Sequence, residues 1–187
     1  MMRFTWLPVA MLAIGCVETA PEENVQEVFT TVALTFTPQS GGAAIMADFL
    51  DLNGEVTIDD IALTNGETYD LGVEFFNELE DPIEDVTLEI MDEDDEHQVF
   101  FTGGAIDSIV THTYSDMDGG GLPIGLDNEI AATNTGSDTF TVTLRHLPPE
   151  DGTVVKVAGL EDTVAASGIG AIAGDTDITA DFDLTVE

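Results

Sequence analysis

"DITADFDLTVE", Asp177 to Glu187, decides the fold class. Ile178, Ala180, Phe182, Leu184 and Val186 alternate with Thr179, Asp181, Asp183 and Thr185. Successive side chains on a strand point to opposite faces, so this period of two means a strand with one dry face and one wet one. A helix would need apolar residues three and four apart. The pattern recurs along the chain. In "VFTTVALTFT", Val28 to Thr37, Val32, Leu34 and Phe36 oppose Thr31, Thr35 and Thr37. In "ETYDLGVEFF", Glu67 to Phe76, Tyr69, Leu71, Val73 and Phe75 alternate with Thr68, Asp70, Gly72 and Glu74. In "TFTVTLRH", Thr139 to His146, Phe140, Val142 and Leu144 alternate with threonines.

Further strands are predicted over Ala44–Leu50, Val56–Leu63, Val86–Ile90, Gln98–Thr102, Ile109–Ser115 and Glu129–Thr133. Asn65-Gly66 reads as a tight hairpin, because both residues tolerate positive φ. No window carries a helical stripe of useful length, and Asp81–Glu96 reads as strand or loop as readily as a short acidic helix. Many short strands separated by Gly, Pro, Asp and Ser predict an all-β fold: an antiparallel, immunoglobulin-like β-sandwich over residues 28–187. The Cys–Trp–Cys pattern of antibody domains is absent.

The charge narrows the function. The chain has 38 acids and three cations, Arg3, Arg145 and Lys156, for a formal charge of −35. Such a chain repels phosphate backbones, which excludes nucleic acid as a partner, and also repels anionic lipids and substrates. Self-repulsion predicts either a saline setting or bound divalent cations.

The N-terminus sets the compartment. Arg3 followed by the apolar run Phe4–Ile14 has the layout of a secretory signal and is too short to span a bilayer. It ends in "AIGC", with Cys16 the chain's single cysteine. These residues resemble the lipobox of bacterial lipoprotein signals. The resemblance implies a signal peptide over 1–15, acylation of Cys16, and a membrane partner reached through that lipid. Val17 after the cysteine implies sorting to the outer membrane. Residues 16–27, "CVETAPEENVQE", read as an acidic tether.

Several blocks in order, "TTVALTFTP", "LTNGETYDLGVEFFNE", "DPIEDVTLEI", "DEHQVFF", "YSDMDGGGLPIGL", "TVTLRHLP" and "GDTDITADFDLTV", resemble a group of small, uncharacterised bacterial lipoproteins. That resemblance spans nearly the whole domain and implies no particular activity. Such sequences are sometimes labelled as type 1 periplasmic binding folds. That fold requires alternating strands and helices over a longer chain, against the period of two seen here.

Two chemistries are weighed. "DMDGGGLPIGLD" places Asp116, Asp118, Gly121 and Asp127 at positions 1, 3, 6 and 12 of an EF-type calcium loop, with Gly120 missing the ligand at position 5. "DLNGE", with Asp51 and Asn53, is a weaker echo. Calcium is therefore the expected ligand, with Asp116, Asp118, Asp127, Asp51 and Asn53 as its donors. The alternative is a zinc enzyme using His97, His112 and His146, which all share parity with apolar neighbours. The acidic run Asp92–Glu96 reads first as a solvated loop, with a carboxylate metal site as the lesser alternative. Acids on an extended chain point apart, and the run has no glycine to bend it. Arg145 is expected to pair with a carboxylate on a neighbouring strand. Ser167–Asp175, "SGIGAIAGD", reads as a small-residue loop. No GxSxG, HExxH or Cys–His pair occurs. Without Trp6 the chain has no tryptophan, and Tyr69 and Tyr114 are patterned inward, so no sugar-stacking platform is predicted. The reading that follows is a lipid-anchored envelope or cell-surface module, not an enzyme, serving binding, adhesion or structure toward an unidentified protein or surface partner.

Overall fold

A computed structural model describes residues 27–187. The predicted signal peptide, Cys16 and the tether up to Gln26 lie outside the described residues. Numbered in chain order, one sheet runs β3 (Glu55–Ile58), β2 (Ile45–Leu52), β1 (Thr31–Pro38), β5 (Thr68–Asn77), β9 (Asp127–Ala132) and β8 (Val110–Tyr114), with the two-residue β6 (Glu84–Asp85) alongside β5. The other runs β4 (Ile61–Leu63), β11 (Asp175–Val186), β10 (Gly136–His146) and β7 (His97–Thr102). The two sheets pack face to face, so the protein is an all-β sandwich.

The period-two residues make the core. Val32, Leu34, Phe36, Tyr69, Leu71, Val73, Phe75, Phe140, Val142, Leu144, Ala180, Phe182, Leu184 and Val186 are all buried. Phe36 of β1 meets Phe140 of β10 across the interlayer, with ring centroids 6.3 Å apart at 60°. Such edge contacts add about 1 kcal/mol beyond the area they bury. On the wet face, Thr141 Oγ1 donates to Asp181 Oδ1 at 2.6 Å, and Ser137 and Thr185 share a hydroxyl bond at 2.8 Å.

Four expectations need correction. The strand expected over Val56–Leu63 is two strands in different sheets. Asp59 ends the first: its N–H donates to the Asp48 carbonyl (3.0 Å), and its carboxylate accepts the Asp48 N–H (3.1 Å). The segment expected as a strand at Val86–Ile90 is a helix, α1 (Thr87–Asp92). Val86 and Ile90 are buried while Leu88 is exposed. A four-residue spacing suits a strand face and a helix face equally, so period alone could not choose. Pairing is not wholly antiparallel, because β4 runs parallel to β11. Finally, Asn65-Gly66 does not close a hairpin. It carries the chain from β4 in one sheet to β5 in the other, and only Gly66 has positive φ (+82°). The Glu67 N–H donates to the Thr64 carbonyl at 3.1 Å, the pattern of a type II turn.

The hairpin signal belongs instead to Asn53-Gly54, where both residues have positive φ (57° and 85°) and Leu52 pairs with Glu55. A second helix, α2 (Leu160–Ser167), has no counterpart among the predictions. Leu160 and Val164 pack on Phe100 and Leu147, covering the outer face of β7. This explains why His97 through Phe101 are buried on both faces.

Candidate metal centre

His97 opens β7 and His146 closes β10, and the two are paired residues on adjacent antiparallel strands. Their rings stack with centroids 4.6 Å apart and planes 6° apart. His97 is 1% exposed; His146 is partly open. The chain reaches His97 from α1 through a turn at 93–96. That turn brings Glu93, four residues before His97, back onto the ring. A carbonyl can only accept, so His97 Nδ1–H donates to the Glu93 carbonyl at 3.2 Å. This fixes the tautomer and leaves the lone pair on Nε2. One donor atom each from Glu93, His97 and His146 lies within 4.8 Å of the other two, the one such His/Cys/Asp/Glu group among the described residues.

A bulge supplies the next carboxylate. Leu144 pairs with Ile178 but Arg145 pairs with Thr176, so Asp177 is the extra residue on β11. Bulges redirect a side chain, and here Asp177 Oδ2 comes to rest 3.9 Å from His97 Nε2. That oxygen is buried without a hydrogen-bond partner. On the open side, Glu96 Oε2 is 3.6 Å from His146 Nε2. Gly174 holds the loop before β11 against this site. Its φ is +81°, and a Cβ there would collide with the His146 carbonyl oxygen, so no other residue fits without backbone movement.

The electrostatics match this crowding. Burial, opposed by the Glu93 carbonyl hydrogen bond and reinforced by His146, lowers His97 to about 4, so its ring is neutral at neutral pH. Burial raises Asp177 to about 6 against the pull of His146 and Arg145. Glu27, the first described residue, is raised to about 7 by burial and by Glu89, Glu93 and Asp177. Carboxylates forced this close want either protons or a cation between them.

The residues singled out in the sequence are distributed otherwise. His112 lies on β8, where its Nε2 bonds Asn128 Oδ1 at 2.9 Å and its ring sits against Phe101 and Tyr114. It is not part of the Glu93–His97–His146 group, so the three histidines do not share one site. The acidic run Asp92–Glu96 is not simply a solvated loop, because its Glu93 faces His97. Asp116 accepts the N–H groups of Gly125, Leu126 and Asp127 at 2.8, 2.8 and 3.1 Å. Asp118 accepts the N–H groups of Gly120 and Leu122, each at 2.8 Å, and holds Lys156 Nζ at 2.8 Å. Burial pushes the Asp118 carboxyl up, but the Lys156 contact and these amides outweigh it and hold it below its ordinary value. Asp127 is exposed at the start of β9. Asp51 Oδ1 accepts the Gly54 N–H at 2.9 Å across the Asn53-Gly54 hairpin. Each of Asp116, Asp118 and Asp51 thus already serves a turn, and Asn53 serves one through its backbone.

Arg145 does not pair with a strand carboxylate. Its guanidinium donates to Thr176 Oγ1 (2.7 Å) and to the carbonyls of Ala173 (2.7 Å) and Gly174, tying down the loop before β11. At the centre, sequence reasoning set Glu93 aside with the acidic run and missed Asp177. The first needed a helix and turn to bend the acidic run, and the second needed a bulge. Neither leaves a periodicity signal. No protein-family model, no curated protein and no solved structure matches the chain.

Proposed function

We propose that the protein is a lipid-anchored β-sandwich of the bacterial envelope, held through Cys16 with outer-membrane sorting, that acts as a polyanionic binding or structural module toward cationic partners. One observation carries the reading. Both cations of the described domain are consumed internally: Lys156 is 2% exposed against Asp118, and Arg145 is 7% exposed against loop carbonyls. Lysine and arginine therefore contribute almost nothing to the surface, which presents carboxylates with no adjacent cation to neutralise them. A surface of that kind selects against anionic partners and draws in cationic ones or divalent ions. Calcium bridging through Asp116, Asp118, Asp127, Asp51 and Asn53 would require carboxylates that now serve turns to take on a second task.

Mass spectrometry of the membrane-extracted protein tests the anchor. An acylated Cys16 at the mature N-terminus is expected, with release to the soluble fraction in Cys16→Ser. A free Cys16 thiol, or membrane retention of Cys16→Ser, overturns it.

A further inference from the structure

We propose that Glu93, His97 and His146, with Asp177 closing the fourth position, form a binding site for one divalent transition-metal ion of the zinc class. This inference does not depend on the anchor or on the identity of any partner.

The donor chemistry is specific. Two imidazoles and two carboxylates are a zinc-type set, whereas calcium takes oxygen alone. The site is also preorganised at its deepest residue. The Glu93 carbonyl holds His97 Nδ1–H at 3.2 Å, the outer hydrogen bond that metal-bound histidines usually make, and it leaves Nε2 as the ligand. Opposite that lone pair, at 3.9 Å, stands Asp177 Oδ2, buried and without a hydrogen-bond partner. Two acceptors facing each other with no donor between them is a costly arrangement, and an ion between them removes the cost.

The geometry needs a small closure. Donors to a tetrahedral zinc lie about 3.4 Å apart, from bonds of about 2.0–2.1 Å; here one atom each of Glu93, His97 and His146 stands within 4.8 Å of the others. Glu93 Oε2 approaches His97 from its Nδ1 side at 3.9 Å, and Asp177 lies outside that group, so the Glu93 carboxylate must swing round toward Nε2. The stacked rings, 6° from parallel, cannot both hold an ion in their planes. Loading therefore turns His146, the partly open ring, out of the stack, while the exposed Glu93 swings in. His97 and Asp177 stay in place.

Calorimetry of the chelator-stripped full-length protein in detergent, titrated with zinc chloride, tests this, with cobalt(II) absorption as the geometric readout. The expected result is one high-affinity zinc per chain, a tetrahedral cobalt spectrum, and no displacement by excess calcium. His146→Gln and Glu93→Gln, both at open positions, should each weaken binding by about 100-fold, and Asp177→Asn by about tenfold or more. Asp183→Asn, on the wet face of β11, should leave it unchanged. Circular dichroism of each variant checks that it folds. Several weak sites, or one site indifferent to His146→Gln and Glu93→Gln in folded protein, would be ordinary cation condensation on an acidic surface and would overturn the proposal.

Discussion

At the scale of single residues, the most telling is Lys156. Lysine is seldom fully buried, yet here Nζ lies 2.8 Å from Asp118 Oδ2 and donates to the Asp94 carbonyl at 2.6 Å. One side chain thereby joins the Asp116–Asp127 segment to the turn that precedes His97. Removing the cation leaves a buried carboxylate uncompensated. Lys156→Met is expected to cost about 3–5 kcal/mol in urea unfolding, and Lys156→Met with Asp118→Asn, which keeps an oxygen for the Gly120 and Leu122 amides, to recover part of that loss. A double variant no more stable than the single one would show that the loss comes from the Lys156 packing and its bond to the Asp94 carbonyl rather than from the carboxylate left behind. Sequence alone could name Lys156 as one of few cations but not its partner, because the pair spans 38 positions of chain whose meeting depends on how the loops cross the sheet ends.

At the scale of elements, strands with one wet face were readable and those without were not. β1, β5, β10 and β11 show in their threonines and aspartates which face meets water, and the buried residues fall where alternation places them. β7 shows no alternation because α2 dries its second face. Helix α2 escaped notice because its eight residues bury only Leu160 and Val164, one turn apart. α1 stayed open between strand, loop and short helix because Val86 and Ile90 satisfy both periods. The metal centre was half legible: His97 and His146 stood out, but their pairing is a register fact, and Glu93 and Asp177 reach it through a turn and a bulge. The covering role of α2 can be tested. Val164→Asp should cost about 3 kcal/mol and speed amide exchange in β7, because it strips the lid from Phe100. Ala165→Asp, on the exposed side, should change neither; equal effects would mean that the helix does not seal the sheet.

At the scale of the whole molecule, the fold keeps a dry interior while carrying 38 acids. The sandwich makes that division simple, since the strands send their carboxylates outward by parity, Asp177 at its bulge excepted. The remaining difficulty is mutual repulsion over the surface, which falls off within about 10 Å at 0.1 M salt. The melting temperature is therefore expected to rise by about 5 °C or more between 10 mM and 500 mM sodium chloride. Sucrose at matched osmolality should not reproduce the full gain. A melting point indifferent to salt would mean that the outward carboxylates are too far apart to strain the fold.

The order of strands in the smaller sheet carries one more implication. β11 lies between β4 and β10, holding one parallel and one antiparallel neighbour. Residues 175–186 are therefore an interior member of a layer whose other strands are all translated earlier. Until they emerge from the ribosome, β4 has no mate, β10 has an open edge, and Phe140 lacks its cross-strand companion Phe182. Completion of that layer therefore waits for residues 175–186, and the strand that closes the smaller sheet is the last of the described strands to be made.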